Sequence, residues 1–400
     1  MPHTKNICFL NSNDQSGILA YGSGELLELN GSHVLDAINS FINKHKGNYL
    51  FMALAYDIKN EIEDLHSQNP DSIEFPVGVL WCPEVVVKIK NDQYTFVQGE
   101  ETELNKQVLH EFLEENSVQS DKKSSYKFVP EISKGSYINT VNKLKDHIQR
   151  GDVYELNYCQ VFNSYNTDLQ DNKDIYFKLN NITKAPFSSY LQFGDFAVYC
   201  GSPERFIKLE NNRLTAQPIK GTIKRGATIE EDELLKKKLE HDPKERAENI
   251  MIVDLMRNDL SKLAQKDSVQ VDELCGIYSF ETVHQMISTV SCTACEDKSF
   301  IDIIKATFPM GSMTGAPKIR AMELIEEYEA FKRGLYSGSI GYIAPNGDFD
   351  FNVIIRTVIY NRRLKTLSCA VGSAITIQSD AEKEYEECLV KIQKILDAFQ

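Results

Sequence analysis

An α+β class agrees with three features of the sequence. The first hundred residues alternate short aromatic and β-branched runs with turn clusters. Two later segments open with helix-capping residues and continue with apolar residues at helical spacing. The apolar fraction is 42% and the charged fraction 26%, the balance of a soluble globular chain and not of a disordered one. These features agree with the class but do not by themselves select it.

Taken in order, residues 7–10, 49–56, 77–80, 85–89 and 94–97 read as strands. Residues 101–115 read as a helix, and the polar stretch 116–125, rich in Ser, Lys and Asp, reads as a linker. That divides the chain into an N-terminal region, 1–125, and a second region, 126–400, expected to form one body. Residues 137–151 read as a helix closed by Gly151. Asp242-Pro243-Lys244-Glu245 joins an N-cap, a proline at the first helical position and a glutamate three residues after the cap. This capping-box-like start predicts a helix through Glu248 toward Arg257. Ser379-Asp380-Ala381-Glu382 is a second such start, followed by a stripe of Tyr385, Cys388, Leu389, Ile392, Ile395, Leu396 and Phe399.

A length of 400 residues suits two domains or one large one. The formal charge, 44 − 58 = −14, argues against a nucleic-acid surface, so an anionic ligand needs a local cationic pocket. No run reaches the roughly 18 apolar residues of a membrane span, and residues 1–6 lack an apolar signal segment. A cytoplasmic location without membrane contact is expected. Nine scattered cysteines read as reduced thiols, and Cys292-Thr293-Ala294-Cys295 as two incidental ones.

Five clusters carry candidate chemistry. Glu384 and Glu387 lie at i and i+3 on the last helix, and Glu248 precedes the apolar run Ile250-Met251-Ile252-Val253. Taken alone, Glu384 and Glu387 read as a solvated face. If the two helices face each other, three carboxylates converge and need a cation between them, and a hard ion such as Mg²⁺ fits. Lys220 is bracketed by proline and glycine in Gln217-Pro218-Ile219-Lys220-Gly221-Thr222, and Glu204 sits in the turn Ser202-Pro203-Glu204-Arg205-Phe206. A lysine near a carboxylate is usually an ion pair, whereas a lysine kept neutral is a nucleophile. Small residues and hydroxyls from Gly311 to Thr314 lead through Lys318 into a helix over 319–328, whose N-terminus is a candidate anion site. Gly372-Ser373-Ala374 follows a short strand, and Arg356 lies in the apolar run Val353-Ile354-Ile355-Arg356-Thr357, read as a strand with a buried cation.

Together and in this order, these segments resemble the chorismate-utilising enzymes: anthranilate synthase and aminodeoxychorismate synthase components I, and the isochorismate and salicylate synthases. The resemblance runs from about residue 137 to 396. Residues 1–115, including Tyr56-Asp57-Ile58-Lys59-Asn60-Glu61-Ile62-Glu63, resemble the N-terminal region of the component I group. It implies an α+β fold of two large antiparallel sheets packed as a sandwich and flanked by helices. Lys220 resembles the aminodeoxychorismate synthase branch, because anthranilate synthases carry alanine in this slot. Isochorismate-forming relatives carry a water-activating lysine at the position of Glu155, which Glu155 cannot replace.

The resemblance implies amination of chorismate to 4-amino-4-deoxychorismate, for p-aminobenzoate and folate. Lys220 would attack C2 covalently, kept neutral by desolvation beside Mg²⁺, and Glu204, its pKa raised by burial, would protonate the leaving hydroxyl. Glu248, Glu384 and Glu387 would hold Mg²⁺. Arg356, Tyr336 and the backbone of Gly372, Ser373 and Ala374 would bind the enolpyruvyl carboxylate, with Gly221 and Thr222 on the ring-carboxylate side. Thr314 and Lys318 would complete the substrate site. Ammonia would come from a separate glutamine amidotransferase subunit, since no such segment is evident here. Three departures stand out: Gln285 occupies a slot usually held by histidine, with His284 one position earlier; Glu155 replaces glutamine; and Gly372-Ser373-Ala374 replaces three glycines. The tryptophan-inhibition motif is not matched by its nearest segment, Leu26-Leu27-Glu28-Leu29, so tryptophan feedback is not expected. Two other readings are an anthranilate synthase component I and a chorismate-binding protein without turnover.

Overall fold

In the first strand, Asn6–Asn11, alternation sends Ile7 and Phe9 to one face and Cys8 to the other. Each face meets a different core. Cys8, Ala20, Val86, Leu191 and Val198 from one sheet pack against Phe51, Ala53, Val79, Trp81 and Ile340 from another. Ile7, Phe9, Tyr190 and Tyr199 turn outward onto helices, as do Leu50, Met52 and Leu54 on the second sheet. The strands are therefore apolar on both faces, and two sheets stack with helices outside them.

The structure, a computed structural model, describes residues 6–114, 126–169 and 173–399. The expected linker, 116–125, lies outside the described residues. Among the described residues, the larger sheet has 11 strands and the smaller 10, every pairing antiparallel; one strand of each, Val129–Pro130 beside Glu155–Ser164 and Gln270–Ser279 beside Val283–Thr293, lies off the orders that follow. The larger runs from Gly315–Ala316 through Glu155–Ser164, Thr366–Ile375, Thr357–Asn361, Phe196–Ser202, Phe187–Phe193, Asn6–Asn11, Ser16–Gly22 and Val85–Lys90 to Gln93–Gln98. The smaller runs from Ile219–Lys224 through Val283–Thr293, Arg213–Gln217, Arg205–Glu210, Phe349–Asn352, Ser339–Ile343, Leu50–Leu54 and Gly78–Cys82 to Glu25–Leu29. Each sheet takes strands from both sides of residue 125. No helix among the described residues is long and apolar enough to cross a membrane.

Several local expectations need correction. Arg356 is not in a strand: it stands at a bend between Phe349–Asn352 and Thr357–Asn361, with φ 52°. The last helix, Ala381–Leu396, is capped by Asp380, which accepts from the N–H groups of Glu382 and Lys383, while Ser379 Oγ accepts from Thr376 N–H. Leu389 is exposed, so the apolar stripe is narrower than its spacing suggested. Asp242 does cap Pro243–Ser261 through Lys244 and Glu245 N–H, but Glu245 turns into a cavity instead of closing a reciprocal box. The helix Val34–Lys44 carried no cap signal, since its N-cap, His33, is left-handed and makes no side-chain bond.

A buried ion pair fixes one wall of the site. Arg333 bonds both oxygens of Glu329, at 2.8 and 2.6 Å, and donates to the carbonyls of Met313 and Asn157 at 2.7 and 2.9 Å. Its guanidinium lies 4.7 Å from the Tyr56 ring centre. Arg333→Met leaves Glu329 charged and unpaired in the core. We expect a loss of about 3–5 kcal/mol, read by urea unfolding; an unchanged midpoint would refute it.

Candidate active site

Lys220 owes its direction to an irregular strand. The pairing of Ile219–Lys224 with Val283–Thr293 shifts register between Ile219 and Thr222. Gly221 occupies the shift at φ 89°, a conformation that favours glycine, and an added Cβ would meet Leu239 and Glu245 at 3.1 and 3.2 Å. Lys220 thereby lines a cavity of about 550 Å³ between the ends of the two sheets and the helices Pro243–Ser261 and Ala381–Leu396.

Glu204, in the turn between Phe196–Ser202 and Arg205–Glu210, lines the same cavity. Its backbone is held by Ser202 Oγ, which accepts from Glu204 N–H at 3.2 Å, and by Val353 N–H, which donates to Glu204 O at 3.0 Å. Burial pushes its carboxyl up to about 7, against the pull of Lys220 and Arg356. The guanidinium of Arg356 lines the same cavity and makes no hydrogen bond or ion pair among the described residues. Burial draws it below the usual arginine range, an environment suited to an anion.

Lys220 departs from expectation. Its Nζ donates to Glu155 Oε1 at 2.7 Å. Burial opposes its charge, but Glu155, Glu248 and Glu204 outweigh burial and hold it above the ordinary lysine range. This ion pair favours the ammonium, whereas the attack needs the neutral amine expected beside Mg²⁺.

The three candidate metal ligands line one cavity. Glu248 is 7% exposed, and its Oε1 has no hydrogen-bond partner among the described residues. Burial, with the Glu155 and Glu245 carboxylates, raises it to about 7 against Lys220 and Lys244. Ser373 Oγ donates to Glu384 Oε2. Glu387 stands more exposed and pairs with Lys391 at 2.7 Å. Lys244 Nζ lies 3.8 Å from Glu248 Oε1 and 3.5 Å from Glu384 Oε1, so an ammonium occupies the space between two of the three. Among the described residues no group of three His, Cys, Asp or Glu is gathered closely enough to ligate one ion. The donor set is nonetheless all oxygen, with one orphaned buried atom. That fits a hard cation taking one or two carboxylates and completing its shell with water and substrate.

Gly221, Thr222, Tyr336, Gly372, Ser373 and Ala374 also line the cavity. A Cβ at Gly372 would meet the Cys159 and Asn157 side chains of the paired strand at 2.6 and 2.8 Å, so a larger residue here requires them to shift. Two expectations fail. Thr314 is not on the cavity wall; its Oγ1 donates to Met310 O at 3.0 Å, and Ser312 and Met313 line the site instead. Lys318 is captured by Asp259, 2.5 Å away, and donates also to Thr307 O, so its helix does not offer the cavity a cation. His284 takes no part either. Strand alternation turns it away to Asp232 and Ser279, at 3.0 and 2.8 Å, and brings Gln285 to the cavity. Gln285 is 1% exposed and neither of its amide atoms is hydrogen-bonded among the described residues. Lys244 was overlooked, though its i,i+4 spacing to Glu248 marked it.

A second cavity, about 280 Å³, adjoins residues 10–12, 16–18 and 186–188. Leu26-Leu27-Glu28-Leu29 does not line it.

The match to the chorismate binding enzymes covers residues 8–397. The chain belongs to that family. It is 45% identical over 268 residues to the probable chloroplastic aminodeoxychorismate synthase of Oryza sativa subsp. japonica, covering 66% of this chain and 30% of that protein. It is 39% identical over 265 residues to aminodeoxychorismate synthase component 1 of Klebsiella aerogenes, covering 66% of this chain and 58% of that one. The chain thus spans under two thirds of these curated relatives. Among solved structures, anthranilate synthase component I from Streptococcus pneumoniae TIGR4 aligns over 96% of this chain and 92% of its own, with a TM-score of 0.83 and 27% identity. The α+β sandwich implied by the resemblance is therefore the fold of this family member.

Proposed function

We propose that the protein aminates chorismate at C4 with ammonia, releasing water and keeping the enolpyruvyl ether, to give 4-amino-4-deoxychorismate for p-aminobenzoate and folate. The observation that carries this is Lys220 and Glu204 facing one cavity, nucleophile and acid, with Arg356 free to meet an anion. The curated relatives' names support the same reaction.

Arg356 and Tyr336 bind the enolpyruvyl carboxylate, beside Gly372, Ser373 and Ala374. Gly221 and Thr222 bound the other end of the ring. Lys220, once deprotonated, bonds to C2. The conjugated double bonds shift toward C4, and Glu204 gives its proton to the departing hydroxyl. Ammonia then bonds to C4, the double bonds shift back, and the C2–nitrogen bond breaks to release Lys220. Glu248, Glu384 and Glu387 would hold Mg²⁺, with Lys244 moving aside. When bound, the ion supplies positive charge for the ring carboxylate. A glutamine amidotransferase subunit supplies the ammonia, a reading that the component naming of the relatives supports.

The test is consumption of chorismate by the pure protein with Mg²⁺ and an ammonium salt. Consumption requiring both supports the reading; a protein that binds chorismate and consumes none is a binding protein only. The fold of an anthranilate synthase component I favours a second reading, in which the product is anthranilate.

The carboxylate cluster makes a separate prediction. Mg²⁺ should raise the melting temperature of the wild type. Glu248→Gln should weaken that response by about 10–100-fold in metal concentration. The same Mg²⁺ response in both proteins would remove Glu248 from the metal site.

A further inference from the structure

Lys220 rests in an ion pair with Glu155, and an ammonium so paired has no lone pair with which to attack carbon. Its proton has to leave before the C2 bond forms. A base stands within reach: Glu155 Oε1, 2.7 Å from the lysine nitrogen. Glu155 heads the strand Glu155–Ser164 and is paired there with Ala316. Tyr154 N–H, one residue earlier, donates to Ala316 O at 2.7 Å, so the backbone is held on both sides. The side chain is 1% exposed, which keeps bulk water away from the transferred proton.

The second oxygen of Glu155 decides between a structural ion pair and a proton acceptor. Oε2 is buried without a hydrogen-bond partner among the described residues. A carboxylate present only to neutralise Lys220 would ordinarily satisfy both oxygens. The other carboxylates around the lysine have other tasks. Glu204 is the acid for the leaving hydroxyl, Glu248 and Glu384 face Lys244, and Glu387 pairs with Lys391.

We propose that Glu155 is a catalytic base that takes the proton from Lys220 as its nitrogen bonds to C2 and returns it when the lysine departs. This rests on the reading in which Lys220 forms a covalent adduct. The step balances. The proton moves from Nζ to Glu155, the freed electron pair makes the nitrogen–C2 bond, and the C4–oxygen bond breaks with a proton from Glu204, leaving as water. The adduct is a secondary ammonium. When ammonia bonds to C4, the C2–nitrogen pair returns to the lysine, which leaves as a neutral amine and recovers its proton from Glu155. The site is then reset, with Glu204 reprotonated from solvent.

The test is the rate of adduct formation, followed by intact-protein mass after acid quench, with chorismate and Mg²⁺ in ammonia-free buffer. The wild type should gain the mass of chorismate less water. Glu155→Gln, close in shape, should form the adduct on the order of 10²-fold more slowly. Glu155→Ala should be slow as well and should speed up with added formate, which fits the space vacated. An unchanged rate in Glu155→Gln overturns the proposal. Slowing in both variants without formate rescue also overturns it, assigning Glu155 to positioning. Absence of an adduct in the wild type removes the covalent reading itself, and the base with it.

Discussion

Lys220→Met is expected to lower ammonia-dependent consumption of chorismate at least about 10³-fold, while the protein stays folded. Methionine keeps the length of the side chain and removes the only amine that could bond to C2 from this strand position. The substitution leaves Glu155 buried without its 2.7 Å partner, so some loss of stability is expected with the loss of rate. The paired variant Lys220→Met with Glu155→Gln removes that charge. It should recover stability and none of the activity. Activity surviving in either variant, measured with chorismate in excess and secondary structure checked by circular dichroism, would show that Lys220 is not the nucleophile.

Glu204→Gln is expected to lower kcat about 10²–10⁴-fold with little change in binding, because glutamine can occupy the turn but cannot give a proton. The pH profile adds a second signature. Burial raises Glu204 to about 7, so the protonated, active form dominates below that pH and is lost as pH rises through it. The wild-type kcat/KM, measured at constant free ammonia, should therefore fall about ten-fold per pH unit above 7. The variant should lose this limb. The same shift bears on stability with a definite sign. A glutamate raised in the folded state favours folding at low pH, and its contribution is lost as pH rises from the ordinary value of 4.5 through about 7. A wild-type rate that rises steadily through this range would contradict the assignment of the acid.

Much of the site was legible because its chemistry is written in local strings. The bracketed Lys220, the turn at Glu204 and the capped helix bearing Glu248 each stand where the structure places them on the cavity. What was not legible depends on which way a side chain turns. Lys318 follows a glycine-rich turn, as an anion-binding lysine would, yet Asp259, far away in sequence, reaches it first. Arg356 looked like a strand residue because its neighbours are apolar; they are apolar because the bend itself is buried, and φ 52° breaks the strand there. His284 and Gln285 differ only in the parity of their strand position, and parity cannot be assigned until the register with Ile219–Lys224 and its irregularity at Gly221 is known. The ion-pair partner of Lys220 was hidden for a similar reason. Desolvation alone lowers a lysine, but three carboxylates from separate elements meet it only in the folded chain. The sandwich itself came from resemblance, since alternating runs are compatible with many pairings and the sheets join strands from both ends of the chain.

The most direct test of the account is the position of the new nitrogen. Pure protein is incubated with chorismate, Mg²⁺ and ¹⁵N-labelled ammonium at mildly alkaline pH, and the product is examined by mass spectrometry and nitrogen–proton correlation. The account predicts ¹⁵N at C4 of a ring that still carries its enolpyruvyl ether, and no such product from Lys220→Met. Labelled anthranilate with release of pyruvate would contradict it and make the chain an anthranilate-forming enzyme.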